Sequence, residues 1–104
     1  MALIAVKTDN HGDEQIGVAR YSTNVDKTSC EFALVVSDKW QSRGIAHHLM
    51  KDLMEIARDR NLETMEGQVL RDNSKMLELV SSLGFEIRND PTDHTIKQVE
   101  ARLQ

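Results

Sequence analysis

The feature that most constrains the fold is a change of hydrophobic period near the middle of the chain. Residues 31–36 form a nearly continuous apolar run, which favours a strand at the centre of a sheet covered on both faces. Beyond that run, Ile45, Leu49 and Leu53 recur at i, i+4, the spacing of an amphipathic helix over residues 43–61. A buried strand that is followed at once by a long helix indicates an α/β domain.

The remaining segments predict the order strand, strand, strand, helix, strand, helix, strand, strand. The polar clusters 9–13 and 22–28 separate the first three strands as turns, so we expect those strands to run antiparallel. Asn73 is suited to cap the start of the second helix, and Gly84 to end it. The expected strands are 3–8, 16–21, 31–36, 64–70, 85–88 and 95–103, and the expected buried stripe of the second helix is Met76, Leu77, Val80 and Leu83.

Composition excludes several classes of protein. A chain of 104 residues allows one domain, which we expect to span residues 1–104. The longest clean apolar run, 32–36, is far shorter than the ~20 residues of a membrane helix, and no secretory signal opens the chain, so we expect a cytoplasmic protein without membrane contact. The single cysteine, Cys30, excludes an internal disulfide and argues against a zinc site; no metal is expected.

Charge argues against a nucleic-acid partner. Thirteen Lys and Arg residues stand against seventeen Asp and Glu residues, which gives a net charge of −4. That sign is wrong for a surface that binds nucleic acid. An anionic ligand would therefore have to be held by a local device.

The turn between the buried strand and the long helix is such a device. The first N–H groups of a helix have no internal partners and carry the positive end of the helix dipole, so they can bind phosphate. Gly44 and Ala46 would let a pyrophosphate approach these amides, and Arg43 would add a bidentate contact. Neither G-x-x-x-x-G-K-[ST] nor G-x-G-x-x-G is present, so ATP and NAD are poor candidates. From spacing alone, an ordinary strand-to-helix turn remains an equal alternative.

Two motifs resemble one enzyme family. Residues 41–46 (QSRGIA) resemble the Q/R-x-x-G-x-G/A signature of the GNAT N-acetyltransferase superfamily, which binds the pyrophosphate of acetyl-CoA. Residues 73–85 (NSKMLELVSSLGF) resemble the downstream N-x(10)-G-F segment of that family. Within the superfamily, residues 30–44 (CEFALVVSDKWQSRG) are most similar to the C-terminal acetyltransferase domain of bacterial Pat-type protein lysine acetyltransferases. In those proteins an acyl-CoA-synthetase-like domain lies upstream.

The resemblance implies the GNAT fold, an α/β (α+β) arrangement of a mixed, mostly antiparallel central sheet and two helices. The strand and two helices that usually open this fold have no counterpart, because residues 1–3 run directly into what matches the second strand. We therefore expect a C-terminal fragment of a larger protein. An uncovered strand edge or apolar patch would favour self-association as a homodimer.

The resemblance also implies a cofactor site for acetyl-CoA. The backbone of residues 34–36 would pair with the pantetheine arm like an added strand. The amides of residues 42–47 would hold the pyrophosphate, and the side chain of Asn73 would hydrogen-bond the cofactor. The expected cofactor-binding residues are Leu34, Val35, Val36, Gln41, Ser42, Arg43, Gly44, Ile45, Ala46, His47 and Asn73.

The family's reaction is direct attack of a neutral amine on the thioester, and Glu31 matches the position of its glutamate base. A base is useful because a free lysine amine has a pKa of ~10.4. A solvated carboxylate at the end of a strand is the alternative for Glu31. A tyrosine that protonates the leaving thiolate in many members is replaced here by Val80. The thiolate therefore leaves unassisted, or Ser81, Ser82 or water donates the proton.

The expected function is acetyl-CoA-dependent N-acetylation of an amine, with a protein lysine as the acceptor. Two alternatives stay open: a small-molecule amine as acceptor, and a non-catalytic acyl-CoA-binding module that regulates a neighbouring domain. Glu31 discriminates between enzyme and module, because a module needs no base at that position.

Overall fold

The structure is a computed structural model that describes residues 2–9, 12–37 and 44–104, with the backbone alone for residues 2–9 and 12–16. Strands and helices follow the predicted order, which is confirmed. Along the chain the elements are β1 (Ala2–Asp9), β2 (Gly12–Thr23), β3 (Ser29–Val36), α1 (Ile45–Asp59), β4 (Thr64–Leu70), α2 (Ser74–Ser82), β5 (Glu86–Asn89) and β6 (Ile96–Arg102).

The strands form one six-stranded sheet in the order β1-β2-β3-β4-β6-β5. Only β3 and β4 pair in parallel; the other neighbours are antiparallel. A parallel pair needs a crossover connection, and α1 provides it. The predicted mixed, mostly antiparallel sheet with two helices is confirmed.

The first hairpin is longer than the sequence pattern indicates. The polar stretch 9–13 predicts a turn, yet Asp9 pairs with Gly12 and Thr8 with Asp13. This pairing continues because backbone hydrogen bonds do not require apolar side chains. The two strands therefore extend beyond the apolar residues into the polar ones. Asn10 and His11, the rest of the predicted turn, lie outside the described residues.

The two helices lie on one face of the sheet. Both connect strands that run in the same direction, and crossovers of one hand place their helices on the same side. Side chains that point to this side, the helix face, are buried: Tyr21, Phe32, Met65 and Val99 are each 8% exposed or less. They pack with apolar residues of α1, including Leu49, Met50, Leu53, Met54 and Ala57, into one core.

The opposite side of the sheet, the open face, carries the alternate residues of each strand. Val35 on β3 is 70% exposed and Leu70 on β4 is 63% exposed. Burial on both faces of β3, which its apolar run predicts, is therefore wrong, although the central position of β3 is confirmed. Phe32 and Leu34 in this run pack into the core on the helix face. Ala33 and Val35 lie on the opposite side of the sheet, which no described helix covers.

The second helix begins and ends where the sequence predicts, whereas α1, expected over residues 43–61, spans Ile45–Asp59. Asn73 Oδ1 accepts a hydrogen bond from Met76 N at 3.1 Å, which caps α2, and Gly84 follows the helix with φ +90°. Of the predicted buried stripe on α2, Val80 is fully buried, while Met76, Leu77 and Leu83 pack partly buried against the core. In the described part of the chain, neither helix has the length and apolar character needed to cross a membrane.

Candidate active site

The central parallel pair separates before its strands end. Three residue pairs join β3 to β4: Ser29 with Thr64, Cys30 with Met65, and Glu31 with Glu66. β3 then continues to Val36 and β4 to Leu70. We call the space between residues 32–36 and 67–70 the β3–β4 cleft. A cleft between two strands offers backbone groups to an extended ligand, which can bind there as an added strand.

The residues predicted to bind the pantetheine arm lie along this cleft. Leu34, Val35 and Val36 pair on one side with Ala19, Val18 and Gly17 of β2. They come after the last residue of β3 that pairs with β4. Of the three, Val35 is the most exposed, and it lies on the open face.

Both helices start at the end of the sheet where this cleft opens. The chain enters α1 shortly after β3 ends and enters α2 shortly after β4 ends. Because β3 and β4 are parallel, the two helix N-termini lie at the same edge. The carboxyl ends of parallel strands are where open α/β sheets bind their ligands.

Gly44 at the start of α1 has the geometry of an anion cradle. Its φ is +78°, a conformation that L side chains rarely adopt, and a Cβ built on it meets no atom of the described residues within 4 Å. Its carbonyl accepts the first helical hydrogen bond, from His48 N at 3.0 Å. The N–H groups of residues 45–47 therefore precede that bond and point out of the first turn. Glycine is needed here for its backbone conformation, and it places no side chain beside these amides.

Three predicted pyrophosphate residues, Gln41, Ser42 and Arg43, lie outside the described residues. Ile45 and Ala46 are half-buried in the first turn of α1, and the binding of pyrophosphate by their amides stays a prediction. The side chain of His47 is exposed and lines a groove of about 330 Å³ between α1 and the end of α2, together with Lys51, Glu55, Arg58 and Ser82.

Two roles are predicted for Asn73, and the structure shows the structural one. Its Oδ1 caps α2, so the residue is required for the helix start whether or not a cofactor is present. The amide nitrogen Nδ2 carries two donors that the capping bond does not use. Asn73 can therefore cap the helix and donate to a ligand at the cleft mouth.

Glu31 lies at the point where β3 and β4 separate. It is the last β3 residue paired with β4, its side chain is exposed, and it lies on the open face with Val35. A carboxylate at this position is reachable from solvent and adjacent to the cleft. Both properties are required of a base that takes a proton from an acceptor amine.

Sequence reasoning missed an acidic row beside Glu31. The register places Glu31 opposite Glu66, Glu66 opposite Glu100, and Glu100 opposite Glu86, so four glutamates cross four strands on the open face. Asn24 Nδ2 donates to Glu66 Oε1 at 2.9 Å. Arg88 bridges Glu86 at 3.0 Å and Glu100 at 3.7 Å. These residues are up to 69 positions apart in the chain, between Glu31 and Glu100, and only the strand register brings them together.

Three other residues near the cleft, Cys30, Val80 and Tyr21, are buried, which restricts the chemistry open to them. Burial, with the charge of Glu66 as a second cause, raises the pKa of the Cys30 thiol to about 11. The thiol is protonated at neutral pH and is a poor nucleophile. Val80, at the position of the family's tyrosine, is fully buried, and Tyr21 lies buried on the helix face opposite Phe32.

Comparison with known proteins identifies a family. The model of the acetyltransferase (GNAT) family matches residues 2–85. An acetyltransferase of Pseudomonas aeruginosa is 31% identical over 103 residues, which cover 99% of this chain and 54% of that protein. The chain thus spans about half the length of this curated relative.

Solved structures share the fold. The GNAT domain of S. lividans PAT superposes with a TM-score of 0.77 at 24% identity, over 86% of this chain and 55% of that one. The yncA protein of Salmonella typhimurium, whose structure contains its cofactor acetyl-CoA, gives a TM-score of 0.75 at 19% identity, over 86% of this chain and 59% of that one.

Proposed function

Since the chain belongs to the GNAT acetyltransferase family, we propose that it binds acetyl-CoA in the β3–β4 cleft and transfers the acetyl group to an amine, a protein lysine in the first instance. The observation that carries this proposal is the separation of β3 and β4 at Glu31 and Glu66, with the open start of α1 at the same edge. The amides at the start of α1 can bind an anion at one end of the cleft, and the carboxylate of Glu31 lies at the other end.

The proposed cofactor lies along the cleft from its mouth, the edge where α1 begins, to its base at the Glu31–Glu66 pair. Its pyrophosphate accepts hydrogen bonds from the amides at the start of α1, where the open position at Gly44 lets phosphate oxygens approach. By the motif that they match, Gln41, Ser42 and Arg43 are proposed to add further contacts to the pyrophosphate. The pantetheine amides pair with the backbone of residues 34–36, and Asn73 Nδ2 donates to the cofactor at the cleft mouth.

The reaction is proposed to take place beside Glu31. Glu31 accepts a proton from the acceptor ammonium, and the neutral amine attacks the thioester carbonyl. A C–N bond forms, and a backbone N–H of the cleft stabilises the tetrahedral oxyanion. The C–S bond breaks as the oxyanion collapses, and the nitrogen loses its second proton to solvent. The CoA thiolate then leaves, with a proton supplied by Ser81, Ser82 or solvent, since Val80 has none to give.

The acidic row supports a cationic acceptor. Glu31, Glu66 and Glu100 lie on exposed or half-buried positions of one face, so a protonated lysine side chain approaches a surface of opposite charge. The likeness of residues 30–44 to Pat-type domains favours protein lysine over a small amine. In a parent protein of that type, an acyl-CoA-synthetase-like domain would precede this one.

Isothermal titration calorimetry with acetyl-CoA, ATP and NAD in parallel tests the cofactor. We expect micromolar binding of acetyl-CoA and none of NAD or ATP. CoA release with a lysine peptide, with spermidine and with an acetyl-lysine peptide as the blank then separates the functions. Faster release with spermidine would assign a small-molecule acceptor, and binding without release from any amine would assign a non-catalytic module.

A further inference from the structure

The ring of Phe32 crosses from β3 to β4 at the base of the cleft. Phe32 follows the last paired residue of β3, and Gly67 follows the last paired residue of β4. A Cβ built on Gly67 would lie 2.5 Å from Phe32 Cε1 and 2.9 Å from Cδ1 and Cζ. The ring therefore occupies the volume that any side chain at position 67 would need.

The ring is fixed in this position from its other side. The rings of Phe32 and Phe85 meet edge to face, with centroids 5.4 Å apart and planes inclined at 69°. Both residues are buried, at 8% and 6% exposure. Such aromatic pairs are directional, so movement of the Phe32 ring away from Gly67 would break a favourable contact in the core.

A ligand that lies along the cleft ends at this ring. The cleft narrows toward the Glu31–Glu66 pair, and Phe32 and Gly67 are the first residues beyond that pair. If the pantetheine arm enters from the edge where α1 begins, the acyl group of the thioester is the part that reaches the base. Its carbonyl then lies near Glu31, and the carbon chain beyond the carbonyl faces the Phe32 ring.

We propose that Phe32, held against Gly67, limits the length of the acyl group that the cleft accepts, so that acetyl is admitted and chains of four or more carbons are rejected. This inference rests on the proposed binding of acetyl-CoA in the cleft. Phe32 is a specificity-determining residue in this reading, and glycine at position 67 is required because it leaves room for the ring.

Calorimetric titrations with CoA, acetyl-CoA and butyryl-CoA test the proposal, because the ratio of acyl-CoA to CoA affinity isolates the acyl group. For the wild-type chain we expect butyryl-CoA to bind at least about tenfold more weakly than acetyl-CoA. Phe32→Leu should raise butyryl-CoA affinity about tenfold relative to CoA and leave CoA affinity within a few-fold.

Leu53→Ala is the matched control. It also removes three side-chain carbons from the core, at a fully buried position on α1, and it should leave the butyryl-CoA to acetyl-CoA ratio at the wild-type value. Gly67→Ala is the converse variant. Its Cβ displaces the ring from β4, so acetyl-CoA affinity should fall relative to CoA, and adding Phe32→Leu should restore it. Circular dichroism melts establish that each variant is folded.

The outcomes separate this inference from the proposed function. No binding of CoA by the folded wild-type chain would overturn both. CoA binding with equal affinities for acetyl-CoA and butyryl-CoA, or an unchanged ratio in Phe32→Leu, would overturn the role of Phe32 alone.

Discussion

The β3–β4 pair is joined at one end and separated at the other. At the start of the strands, the side chain of Asn24 donates to Ser29 Oγ at 2.8 Å and to Glu66 at 2.9 Å, and Asp26 accepts from Ser29 Oγ at 2.8 Å. At the far end, β3 and β4 no longer pair, and Val35 and Leu70 are largely exposed.

This contrast shows how one pair of strands can serve stability and binding at once. At the paired end the strands are joined by a backbone ladder and by side-chain hydrogen bonds around a buried Cys30 and Met65. Such satisfied networks hold a register fixed. The separated end can then expose backbone groups and apolar side chains without losing the alignment of the strands. We infer that the backbone ladder of the first three residues of each strand positions the cleft that follows.

The largest expected effect is at the cleft mouth. Gly44→Asp should weaken acetyl-CoA binding at least about 100-fold, because a carboxylate enters the open space beside the amides and repels the pyrophosphate. Calorimetry at constant ionic strength measures this loss. Retained affinity in a folded variant would place the pyrophosphate elsewhere.

Gly84→Asp is the control for backbone strain. Gly84 also has a positive φ, +90°, and a Cβ built on it lies more than 4 Å from every described neighbour, but Gly84 follows α2 rather than preceding α1. Aspartate tolerates this conformation better than most residues do. Both variants should lose similar stability, while only Gly44→Asp loses the cofactor.

The second effect is at the point where the strands separate. Glu31→Gln should lower turnover on the order of 10²-fold near neutral pH and leave acetyl-CoA affinity nearly unchanged, as expected when a general base is lost. Steady-state CoA release measures the change. Turnover within a few-fold of wild type from pH 6 to pH 9 would exclude Glu31 as the base.

The neighbouring glutamates provide the controls for Glu31. Glu66→Gln tests the residue directly opposite, and Glu100→Gln tests one position farther along the acidic row. If the row acts only by attracting the acceptor, both should raise KM for a lysine peptide with little change in kcat. A loss of kcat in Glu66→Gln as large as that in Glu31→Gln would assign proton transfer to the two glutamates together.

The contrast also marks the limit of what the sequence predicts. Local signals identify the elements: the strand 64–70 is found at its true bounds, and Asn73 caps α2 as predicted. The end of the β3–β4 pairing, the acidic row and the contact of Phe32 with Gly67 depend on register between distant segments. Register is set by packing across the sheet, and hydrophobic periodicity within one strand does not encode it.

The predicted site shows the same division. Motif position predicts functional roles for Gly44 and Glu31. The structure places both residues at the cleft, and their roles stay predictions. Nothing in the sequence around Glu66 predicts that it lies beside Glu31, because a single glutamate in a strand of alternating burial looks like any solvent-facing residue. Exposure of Val35 was not predicted, because an apolar run does not reveal whether a second layer covers it.

A third, smaller effect separates the two roles of Asn73 at the cleft mouth. Asn73→Asp keeps an oxygen that can cap α2 but removes the amide donors and adds a negative charge. It should preserve the melting temperature and lower acetyl-CoA affinity about tenfold. Asn73→Ala should lower both, because it also removes the cap from Met76 N. Unchanged affinity in Asn73→Asp would limit the residue to capping.

The smallest expected effect on binding is at the paired end. Ser29→Ala removes a buried hydroxyl that joins Asn24 to Asp26, so the free energy of unfolding should fall by about 1 kcal/mol. Acetyl-CoA affinity should stay within about twofold, since the cleft residues are untouched. A large loss of affinity would mean that this network controls the shape of the cleft directly.

The pH dependence of that stability loss identifies its cause. Hydrogen bonds from the Thr28 and Ser29 backbone, and then from the Ser29 hydroxyl, lower the pKa of Asp26 below its ordinary value. A carboxylate whose folded pKa is lowered contributes stability above its unfolded pKa of about 3.9, and that stability disappears as pH falls through the folded value. The difference between wild type and Ser29→Ala, measured by urea unfolding, should therefore be largest near pH 7 and shrink below about pH 4. A difference that is constant from pH 7 to pH 3 would instead assign the loss to the bond with Asn24, which does not titrate.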